Sequence, residues 1–259
     1  MIKSYYHPTA IISKHAKIGE NVKIGPYSII EDDVVVGNNT EIRSNVVIAD
    51  GARIGNEVKI FNGAVIGTEP QDVKYKGEKS VAIIGDRTVI REFATINRAT
   101  AATGETIVGS DCLLMIYSHV AHDCHLGNNI IMSNSVQLAG HVTIEDWVTI
   151  GGVAKVHQFS FIGCHSMVGA DLKVVKDIAP YTLVSRDPGK VEGINKIGLK
   201  RRGFSNETIR EIEEFYELIL HSGLNISEGI KKYTESHELI PEVLHCIDFI
   251  QKSTRGIYR

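Results

Sequence analysis

Aliphatic residues recur at every sixth position along most of the chain. They do so through residues 12–66, 84–96 and 108–174, and the gaps between these runs are themselves multiples of six residues. A small or β-branched residue stands four places after most of the aliphatic positions, and glycine often follows them directly. This period is neither the 3.6 residues of an amphipathic helix nor the alternation of an ordinary strand.

A six-residue repeat predicts a parallel β-helix, in which each hexad forms a short strand and a turn. The aliphatic residue and the small residue point into the column, while glycine or a small polar residue lets the chain turn at each corner. Three hexads complete one coil. Residues 18 apart therefore stack in neighbouring layers, at the strand spacing of about 4.8 Å. The period alone leaves the handedness of the coil open.

Two segments interrupt the repeat without shifting its register, and we interpret them as loops that project from the column. The first is 68–79, which is polar and contains a proline, and the second is 99–105, which is rich in small residues. Long loops on a rigid scaffold often carry functional residues. A tolerated insertion is the alternative interpretation of each loop.

Helical patterns replace the repeat after position 174. We predict a linker around Asp187, Pro188 and Gly189, and then a helix that begins after the N-cap Ser205 and stops near Gly223. The column would then occupy residues 1–188, and a C-terminal α-helical domain would occupy residues 189–259. Such a domain would cover the last layer of the column.

Two more helices are predicted in the C-terminal domain. One begins near Ser227, and the other has Pro241 in its first turn, where a missing N–H is tolerated. The apolar face expected for the last helix consists of Leu244, Ile247 and Ile250.

Three histidines fall in neighbouring layers on one side of the predicted column. His122, His141 and His157 follow the aliphatic positions 120, 138 and 156, and Asp123 stands beside the first of them. A neutral imidazole can act as a base near neutral pH, and a carboxylate can fix its tautomer. A zinc site and a chance cluster of outward-facing polar residues are the alternatives at this point.

Composition and charge exclude several function classes. The formal net charge of -3 gives no general argument for nucleic-acid or membrane binding. No apolar stretch reaches the roughly 18 residues of a transmembrane helix, and the N-terminal residues lack a secretory apolar run. The four cysteines show no CxxC spacing and no disulfide framework. We therefore predict a cytoplasmic protein.

Several segments together are specific enough to indicate a family. They are PQDVKY at 70–75, AHDC at 121–124, LAGH at 138–141, VHQF at 156–159, GLKRRGFS at 198–205 and STRG at 253–256. In these segments the chain resembles the UDP-N-acetylglucosamine O-acyltransferases that begin lipid A synthesis in Gram-negative bacteria. The resemblance covers essentially the whole chain and implies that the β-helix is left-handed.

The resemblance implies a reaction and its catalytic residues. A 3-hydroxyacyl group would pass from acyl carrier protein to the 3-hydroxyl of UDP-N-acetylglucosamine. His122 matches the general base, Asp123 the carboxylate that orients it, and the backbone N–H of Gly140 the oxyanion contact. General base assistance is typically worth about 10²–10⁴ in rate.

Substrate contacts are also implied by the resemblance. The residues matched to the sugar and diphosphate are Gln71, Asp72, Lys74, His119, His141, His157 and Gln158, and those matched to the nucleotide end are Asn195 and Arg201. Ala170 matches the position that limits acyl length. Because its methyl group would act as a steric stop, we predict an acyl chain of about 10–14 carbons. Ile197 stands where a glutamate is expected near the nucleotide.

The resemblance further implies a homotrimer with active sites between subunits, so that Lys74 could reach His122 from a neighbouring chain. No metal or dissociable cofactor is implied, because the acyl group arrives on the phosphopantetheine of acyl carrier protein. Lys200, Arg201 and Arg202 would offer a basic dock for that acidic partner. A solvated charge run is the alternative for Lys200 and Arg202.

Four other functions compete with the O-acyltransferase hypothesis. They are the N-acyltransferase of the same pathway, which usually has an additional N-terminal domain, a small acetyltransferase that uses acetyl-coenzyme A, a γ-type carbonic anhydrase and a purely structural β-helix. A related group of O-acyltransferases acylates a 3-amino sugar nucleotide, and the sequence leaves that acceptor open as well.

Overall fold

Three sheets of almost entirely parallel strands form the walls of a column in the computed structural model, which describes residues 4–259. The first sheet has 11 strands, the second nine and the third eight, and successive strands along the chain pass from one sheet to the next. Each strand pairs mostly with the strand 18 residues later, as Ile24 does with Ile42. The predicted left-handed parallel β-helix with C-terminal helices is confirmed.

Most strands contain only two residues, because each hexad needs the rest of its length to turn the corner. In chain order the strands are β1 Tyr5–Tyr6, β2 Ile11–Ile12, β3 Lys17–Ile18, β4 Lys23–Ile24, β5 Ile29–Ile30, β6 Val35–Val36, β7 Glu41–Ile42, β8 Val47–Ile48, β9 Ala52–Ile54, β10 Lys59–Ile60, β11 Val65–Thr68, β12 Val81–Ile84, β13 Val89–Ile90, β14 Thr95–Asn97, β15 Glu105–Val108, β16 Leu113–Leu114, β17 His119–Val120, β18 His125–Leu126, β19 Ile131–Met132, β20 Gln137–Leu138, β21 Thr143–Ile144, β22 Thr149–Ile150, β23 Lys155–Val156, β24 Phe161–Ile162, β25 Met167–Val168, β26 Lys173–Val174, β27 Thr182–Ser185 and β28 Lys190–Ile194.

The aliphatic position of each hexad fills the interior of the column. Ile60, Ile90 and Ile150 are all fully buried, as the period predicts. The small residue of the hexad also points inward, and several of the hydroxyls at this position are hydrogen-bonded to the neighbouring coil, although those of Ser118 and Ser160 have no partner among residues 4–259. The Ser28 hydroxyl donates to the Arg43 carbonyl at 2.6 Å and accepts from the Val46 N–H at 3.2 Å. The core is therefore a stack of thin aliphatic layers.

Both interruptions of the repeat are loops that leave the register intact. On either side of the first loop, Ile66 pairs with Ile96 and Ile84 pairs with Ile54. The second loop lies between β14 and β15, and Val108 still pairs with Ile84. The interpretation of both segments as loops that leave a continuous column is thus confirmed.

Four helices follow the column, and the three longer ones, α2 Asn206–His221, α3 Ile226–Ser236 and α4 Pro241–Lys252, agree closely with the sequence signals. The Ser205 hydroxyl accepts from the Thr208 N–H at 3.0 Å at the start of α2, and Gly223 follows its end with a φ of +83°. α3 begins one residue before the predicted Ser227, and Pro241 is the first residue of α4. The short helix that precedes them is α1 Lys196–Arg201.

Three details of the C-terminal region differ from the prediction. The segment expected as a linker is the turn of an antiparallel hairpin, β27–β28, which extends the first sheet. The short helix α1 was not predicted. Leu244, expected on the apolar face of α4, is 49% exposed, while Val243 and Phe249 are buried. The helix therefore presents a face rotated from the expected one.

The predicted division at residues 188 and 189 falls within the turn of this hairpin. It stays a prediction, and residues 1–3 of its first part lie outside the described residues.

The C-terminal helices pack on the column through the rings of Phe161 and Phe249, whose centroids are 4.4 Å apart. The Tyr216 hydroxyl also donates to the Pro180 carbonyl at 2.8 Å. Within residues 4–259, no helix is long and apolar enough to cross a membrane.

Adjacent isoleucines on β5 test the proposed core. Ile30 is 1% exposed and Ile29 is 37% exposed. We expect Ile30→Ala to lower the free energy of unfolding by about 2–5 kcal/mol, because it leaves a cavity between layers. Ile29→Ala, the matched control, should cost less than about 1 kcal/mol. Urea denaturation measures both, and equal losses would contradict the inward assignment.

Candidate active site

The predicted catalytic residues gather along one edge of the column. The turns that lead from the second sheet to the third form this edge, which we call the second corner. It contains residues 121–124, 139–142 and 157–160, which follow the neighbouring strands β17, β20 and β23. Both loops leave the column at the same corner, after the adjoining strands β11 and β14. The register of the second sheet therefore brings the histidines and loops together.

His122 and Asp123 form a hydrogen-bonded pair at the second corner. The His122 Nδ1 lies 2.7 Å from the Asp123 Oδ2. A carboxylate accepts hydrogen bonds but does not donate them, so this contact assigns the proton of a neutral ring to Nδ1. The lone pair on Nε2 is then free to accept a proton. The His122 side chain is 13% exposed, so a substrate can reach it.

The second loop holds the Asp123 carboxylate in place. The Thr100 N–H and hydroxyl donate to it at 3.2 and 2.8 Å, and the Thr103 N–H donates at 3.2 Å. The Thr103 hydroxyl donates to it as well. Burial alone would raise the pKa of Asp123, but hydrogen bonds from Thr103, His122 and Thr100 outweigh it and lower the pKa to about 2. Asp123 is thus a buried, charged acceptor.

Gly140 allows the chain one layer above to pass next to the His122 ring. A Cβ at this position would lie 2.5 Å from the His122 Cε1 and 2.7 Å from its Nε2, so no side chain fits there. Among residues 4–259, no acceptor contacts the Gly140 N–H. The N–H groups of His122 and Gln158, its counterparts in adjacent layers, are unbonded too. The closeness to His122 is therefore what distinguishes Gly140.

His141 packs against both members of the pair. Its ring meets the His122 ring edge-on with centroids 5.2 Å apart, and its Nε2 lies 3.7 Å from the Asp123 Oδ2. On the other side it stacks on Phe159 at 4.5 Å. These contacts fix a row of rings along the corner.

His119 lies on β17, just before the corner. Its Nδ1 is hydrogen-bonded with the Thr95 hydroxyl at 2.7 Å. Burial, and to a smaller extent the nearby His122, lower the pKa of His119. This ring therefore stays neutral at physiological pH.

His157 and Gln158 lie at the same corner two layers above His122, and both are exposed. The His157 Nδ1 lies 3.0 Å from the Gln158 carbonyl, which can only accept. This contact leaves the His157 Nε2 and the Gln158 amide available for a ligand.

Gln71, Asp72 and Lys74 are carried by the first loop. Gln71 and Lys74 are exposed, and the Asp72 carboxylate accepts from the Lys74 N–H at 2.9 Å within the loop. The contacts described for these residues do not include the histidines of the second corner. Among residues 4–259, no hydrogen bond or ion pair joins these three predicted ligands to His122.

Two residues that the sequence did not single out anchor the first loop. The Arg98 guanidinium donates to the Tyr75 hydroxyl at 2.9 Å and pairs with the Glu69 carboxylate at 3.3 Å. The Asn97 amide donates to the Thr68 hydroxyl at 3.0 Å and the Glu69 carbonyl at 2.9 Å. The sequence contained one indication of this anchoring role, which is that Asn97 and Arg98 stand at the end of β14, directly before the second loop.

Asn195 and Arg201 do not lie at the second corner. They line a cavity of about 1020 Å³ between the first sheet and α1. The Asn195 amide is already used to hold the fold: its oxygen accepts from the Gly198 N–H at 3.1 Å and its nitrogen donates to the His165 carbonyl at 2.8 Å. Arg201 is exposed at the rim. Ile197, where a glutamate was expected, is also exposed and lines this cavity.

Arg202 differs from its basic neighbours. Its guanidinium lies over the Trp147 ring, 5.4 Å from the centroid, and it is half-buried. Lys200 and Arg201 are exposed. The expected basic patch is thus reduced to the two exposed side chains.

Ala170 is exposed at another corner, after β25 and between the first and second sheets. Within one chain it belongs to a different edge from His122. A role in acyl length therefore requires a groove that a single column does not form.

The cluster of His122, Asp123 and His141 has the donor atoms of a metal site, which lie within 4.8 Å of one another. The hydrogen bonding favours a different use. Both oxygens of the Asp123 carboxylate already accept hydrogen bonds, Oδ1 from Thr103 and Oδ2 from Thr100 and His122, so a metal would have to displace one of those donors whichever oxygen it bound. The geometry thus favours the base-and-carboxylate interpretation over the zinc site of a carbonic anhydrase.

Two family models match the chain. One, described as UDP-N-acetylglucosamine O-acyltransferase, domain 2, matches residues 177–258, and one described as bacterial transferase hexapeptide (six repeats) matches residues 15–50. The first begins before the hairpin β27–β28 and ends with the last helix and its short tail.

Similar proteins extend over the whole chain. A relative from Janthinobacterium sp. (strain Marseille), named acyl-acyl-carrier-protein–UDP-N-acetylglucosamine O-acyltransferase, is 46% identical and covers 99% of this chain and 100% of its own length. A relative of the same name from Aliivibrio fischeri (strain MJ11) is 49% identical over 98% of this chain and 97% of its own. The solved UDP-N-acetylglucosamine acyltransferase of Bacteroides fragilis is 48% identical, with a TM-score of 0.96 over 98% of this chain and 99% of that chain.

The lowered pKa of Asp123 predicts a pH-dependent contribution to stability. A carboxyl whose pKa is lower in the folded protein stabilises it above the unfolded pKa of about 4, and this stabilisation is lost as the pH falls towards 2. We expect Asp123→Asn to be less stable than the unsubstituted protein at pH 5, and the difference to shrink by about 2 kcal/mol by pH 2. Urea denaturation across this range measures it, and a constant difference would contradict the assigned charge.

Proposed function

The chain belongs to the UDP-N-acetylglucosamine O-acyltransferase family, and on that premise we propose that His122 is the general base of its acyl transfer. The enzyme moves an acyl group from acyl carrier protein to UDP-N-acetylglucosamine, the first step of lipid A biosynthesis. The observation that carries the proposal is the contact between His122 and Asp123, which assigns the proton of a neutral ring to Nδ1 and turns Nε2 into the acceptor. A base of this type typically contributes about 10²–10⁴ in rate.

The proposed reaction has two proton transfers. The His122 Nε2 accepts the proton of the sugar 3-hydroxyl while the oxygen attacks the thioester carbonyl of the 3-hydroxyacyl carrier protein. The new C–O bond creates a tetrahedral oxyanion. When the C–S bond breaks, the imidazolium returns the proton to the phosphopantetheine sulfur. The products are the ester and the free thiol, so no other reactant is needed.

Asp123 acts through His122 in this proposal. A carboxylate with a pKa of about 2 stays charged throughout the cycle, so it can stabilise the imidazolium and hold the tautomer. The hydrogen bonds from Thr100 and Thr103 keep that charge fixed beside the ring. The second loop thus preorganises the base.

The oxyanion is assigned to the backbone N–H of Gly140. This group is free of other acceptors among the described residues and lies in the layer directly above the His122 ring. A preorganised donor of this kind is worth about 10²–10³ in rate in other acyl-transfer enzymes. The close approach also explains why the position must be glycine.

Substrate contacts are proposed for the polar groups around this centre. His119, His141, His157 and Gln158 lie along the second corner, where they can bind the sugar and the diphosphate. Arg201 can bind the nucleotide end through its exposed guanidinium. Asn195 is assigned to support that site, since its amide already bonds to Gly198 and His165.

We propose a homotrimer with active sites between subunits. Among residues 4–259, no hydrogen bond joins Gln71, Asp72 or Lys74 to His122, and Ala170 lies at a different corner. A neighbouring column would bring a second set of these residues to the base. Large apolar side chains are exposed along the column, among them Phe93, Tyr117 and Val153. Contact between columns would remove such groups from water.

The remaining proposals concern the donor and the compartment. The acyl group arrives on the phosphopantetheine of acyl carrier protein, and the chemistry assigned to His122 and Gly140 requires no metal or dissociable cofactor. The exposed Lys200 and Arg201 offer charge to that acidic partner.

All four cysteines are free thiols, which supports a cytoplasmic location. Ala170 would limit the 3-hydroxyacyl chain to about 10–14 carbons through a steric stop.

A direct assay tests the activity. Purified protein is given UDP-N-acetylglucosamine and a panel of 3-hydroxyacyl carrier proteins, with and without chelator. We expect ester formation with chains of about 10–14 carbons, unaffected by chelator. A UDP sugar with a 3-amino group in the same assay determines whether that acceptor is used. No product from any donor would refute the proposal.

Removal of the His122 imidazole should abolish the base without disturbing the column. We expect His122→Ala to lower kcat by about 10²–10⁴, because the sugar hydroxyl then loses its proton acceptor. His125→Ala is the matched control, since His125 is exposed three residues further on in the third sheet. Steady-state kinetics measures both. Equal activity of the two variants would show that His122 is not the base.

A methyl group at Gly140 should displace the His122 ring. The added Cβ would lie 2.5 Å from the Cε1, so the ring must rotate away from Asp123 or the layer must shift. We expect Gly140→Ala to lower kcat by at least about 10² while the protein remains folded. Gly152→Ala is the control, because its Cβ would meet other atoms only at 3.4 Å or beyond. Kinetics and circular dichroism distinguish this effect from unfolding.

Complementation between inactive variants tests the intersubunit site. His122→Ala and Lys74→Ala subunits, carrying different tags, are co-expressed and the mixed oligomers are isolated. We expect activity above that of either parent, because some interfaces then combine an intact His122 with an intact Lys74. Mixed oligomers without restored activity, or a monomer in sedimentation analysis, would contradict the arrangement.

A further inference from the structure

We propose that Glu145, Cys164 and His245 form a zinc-binding site that fastens the C-terminal helices to the column. Glu145 follows β21, Cys164 follows β24, and His245 lies on α4. Glu145 and Cys164 lie at the corner between the third and first sheets, which is a different corner of the column from the one that holds His122. The acyl transfer described above makes no use of these three side chains.

The three donor atoms already converge in the structure. The His245 Nε2 lies 2.8 Å from the Glu145 Oε2, and the Cys164 N–H donates to the same oxygen at 2.7 Å. The imidazole nitrogen, the thiol sulfur and the carboxylate oxygen all lie within 4.8 Å of one another. Zinc bond lengths of about 2.0–2.3 Å place tetrahedral ligands roughly 3.5 Å apart. Small side-chain rotations are therefore enough to surround an ion.

The chemistry of the donors selects the metal. Imidazole, thiolate and carboxylate are the three side-chain ligand types of zinc, whereas magnesium and calcium prefer oxygen alone. Three protein ligands leave a fourth position for water. A cavity of about 620 Å³ borders Glu145, Cys164 and His245, so an ion and its water have a path to the site.

The site would link parts of the chain that are distant in sequence. Cys164 and Glu145 belong to the last layers of the column, while His245 lies on α4, next in sequence to the buried Cys246. A metal that binds only the folded arrangement stabilises it in proportion to the logarithm of its free concentration. Zinc would thus hold α4 against the third sheet. The alternative occupant is a proton, with the same three groups held by hydrogen bonds alone.

Cobalt(II) is the probe that reports the thiolate directly. Chelator-treated, full-length protein is titrated with cobalt chloride. We expect one equivalent to produce the near-ultraviolet charge-transfer band of a cobalt–thiolate bond and the visible bands of a tetrahedral ion. Zinc chloride should displace the cobalt and raise the thermal unfolding midpoint of the protein.

Variants locate the ion. Cys164→Ser and His245→Gln should each lose the charge-transfer band and the zinc-dependent rise in unfolding midpoint, while acyl transfer stays intact as proof of folding. His125→Gln is the matched control, because His125 borders the same cavity but lies outside the cluster. Loss of the signal in this control would contradict the assignment.

Two other outcomes would overturn the proposal. One is the absence of a thiolate band at every cobalt concentration, which would leave a hydrogen-bonded cluster. The other is metal binding that persists in Cys164→Ser and disappears in His141→Ala, which would place the ion at the second corner. The activity of the metal-free protein separates both results from a failure of the acyl-transfer assignment.

Discussion

The fixed register between layers is the constraint on which the rest of this molecule depends. Successive coils are joined by backbone hydrogen bonds in the same register, as the His119 N–H donates to the Val136 carbonyl and the Gln137 N–H to the Ala154 carbonyl, both at 2.9 Å. A slip of one residue would turn the aliphatic positions outward. Because the buried layers forbid that slip, the corner residues are held in place as firmly as the core.

The active centre is a product of that register. His122 and Gly140 are 18 residues apart and occupy the same position in adjacent layers, while His141 is displaced by one residue. This arrangement puts a backbone N–H and a second ring beside the base without any contribution from loop flexibility. The second loop then completes the centre with two threonines that fix the charge of Asp123.

Much of this could be predicted from the sequence, because the repeat is strictly periodic and its stacking rule is simple. The strands, the two loops and the meeting of His122 with His141 all follow from it, and the starts of α2 and α4 follow from Ser205 and Pro241. Loop contacts have no period, so the bonds from Thr100 and Thr103 to Asp123 and the anchoring of the first loop by Arg98 could not be foreseen. The hairpin β27–β28 was missed because its turn reads as a linker once the six-residue pattern stops. Leu244 was misplaced because apolar spacing alone does not fix which side of α4 meets the column.

The most direct test of this account is the protonation state of the His122 ring, measured by nitrogen-15 NMR of histidine-labelled protein with His122→Gln used to assign the signals. At a pH where the ring is neutral, we expect a proton on Nδ1, hydrogen-bonded to Asp123, and a bare Nε2. The Thr100→Val and Thr103→Val variants should weaken that preference, because they loosen the carboxylate. A proton on Nε2 in the unsubstituted protein would contradict the role of His122 as the base.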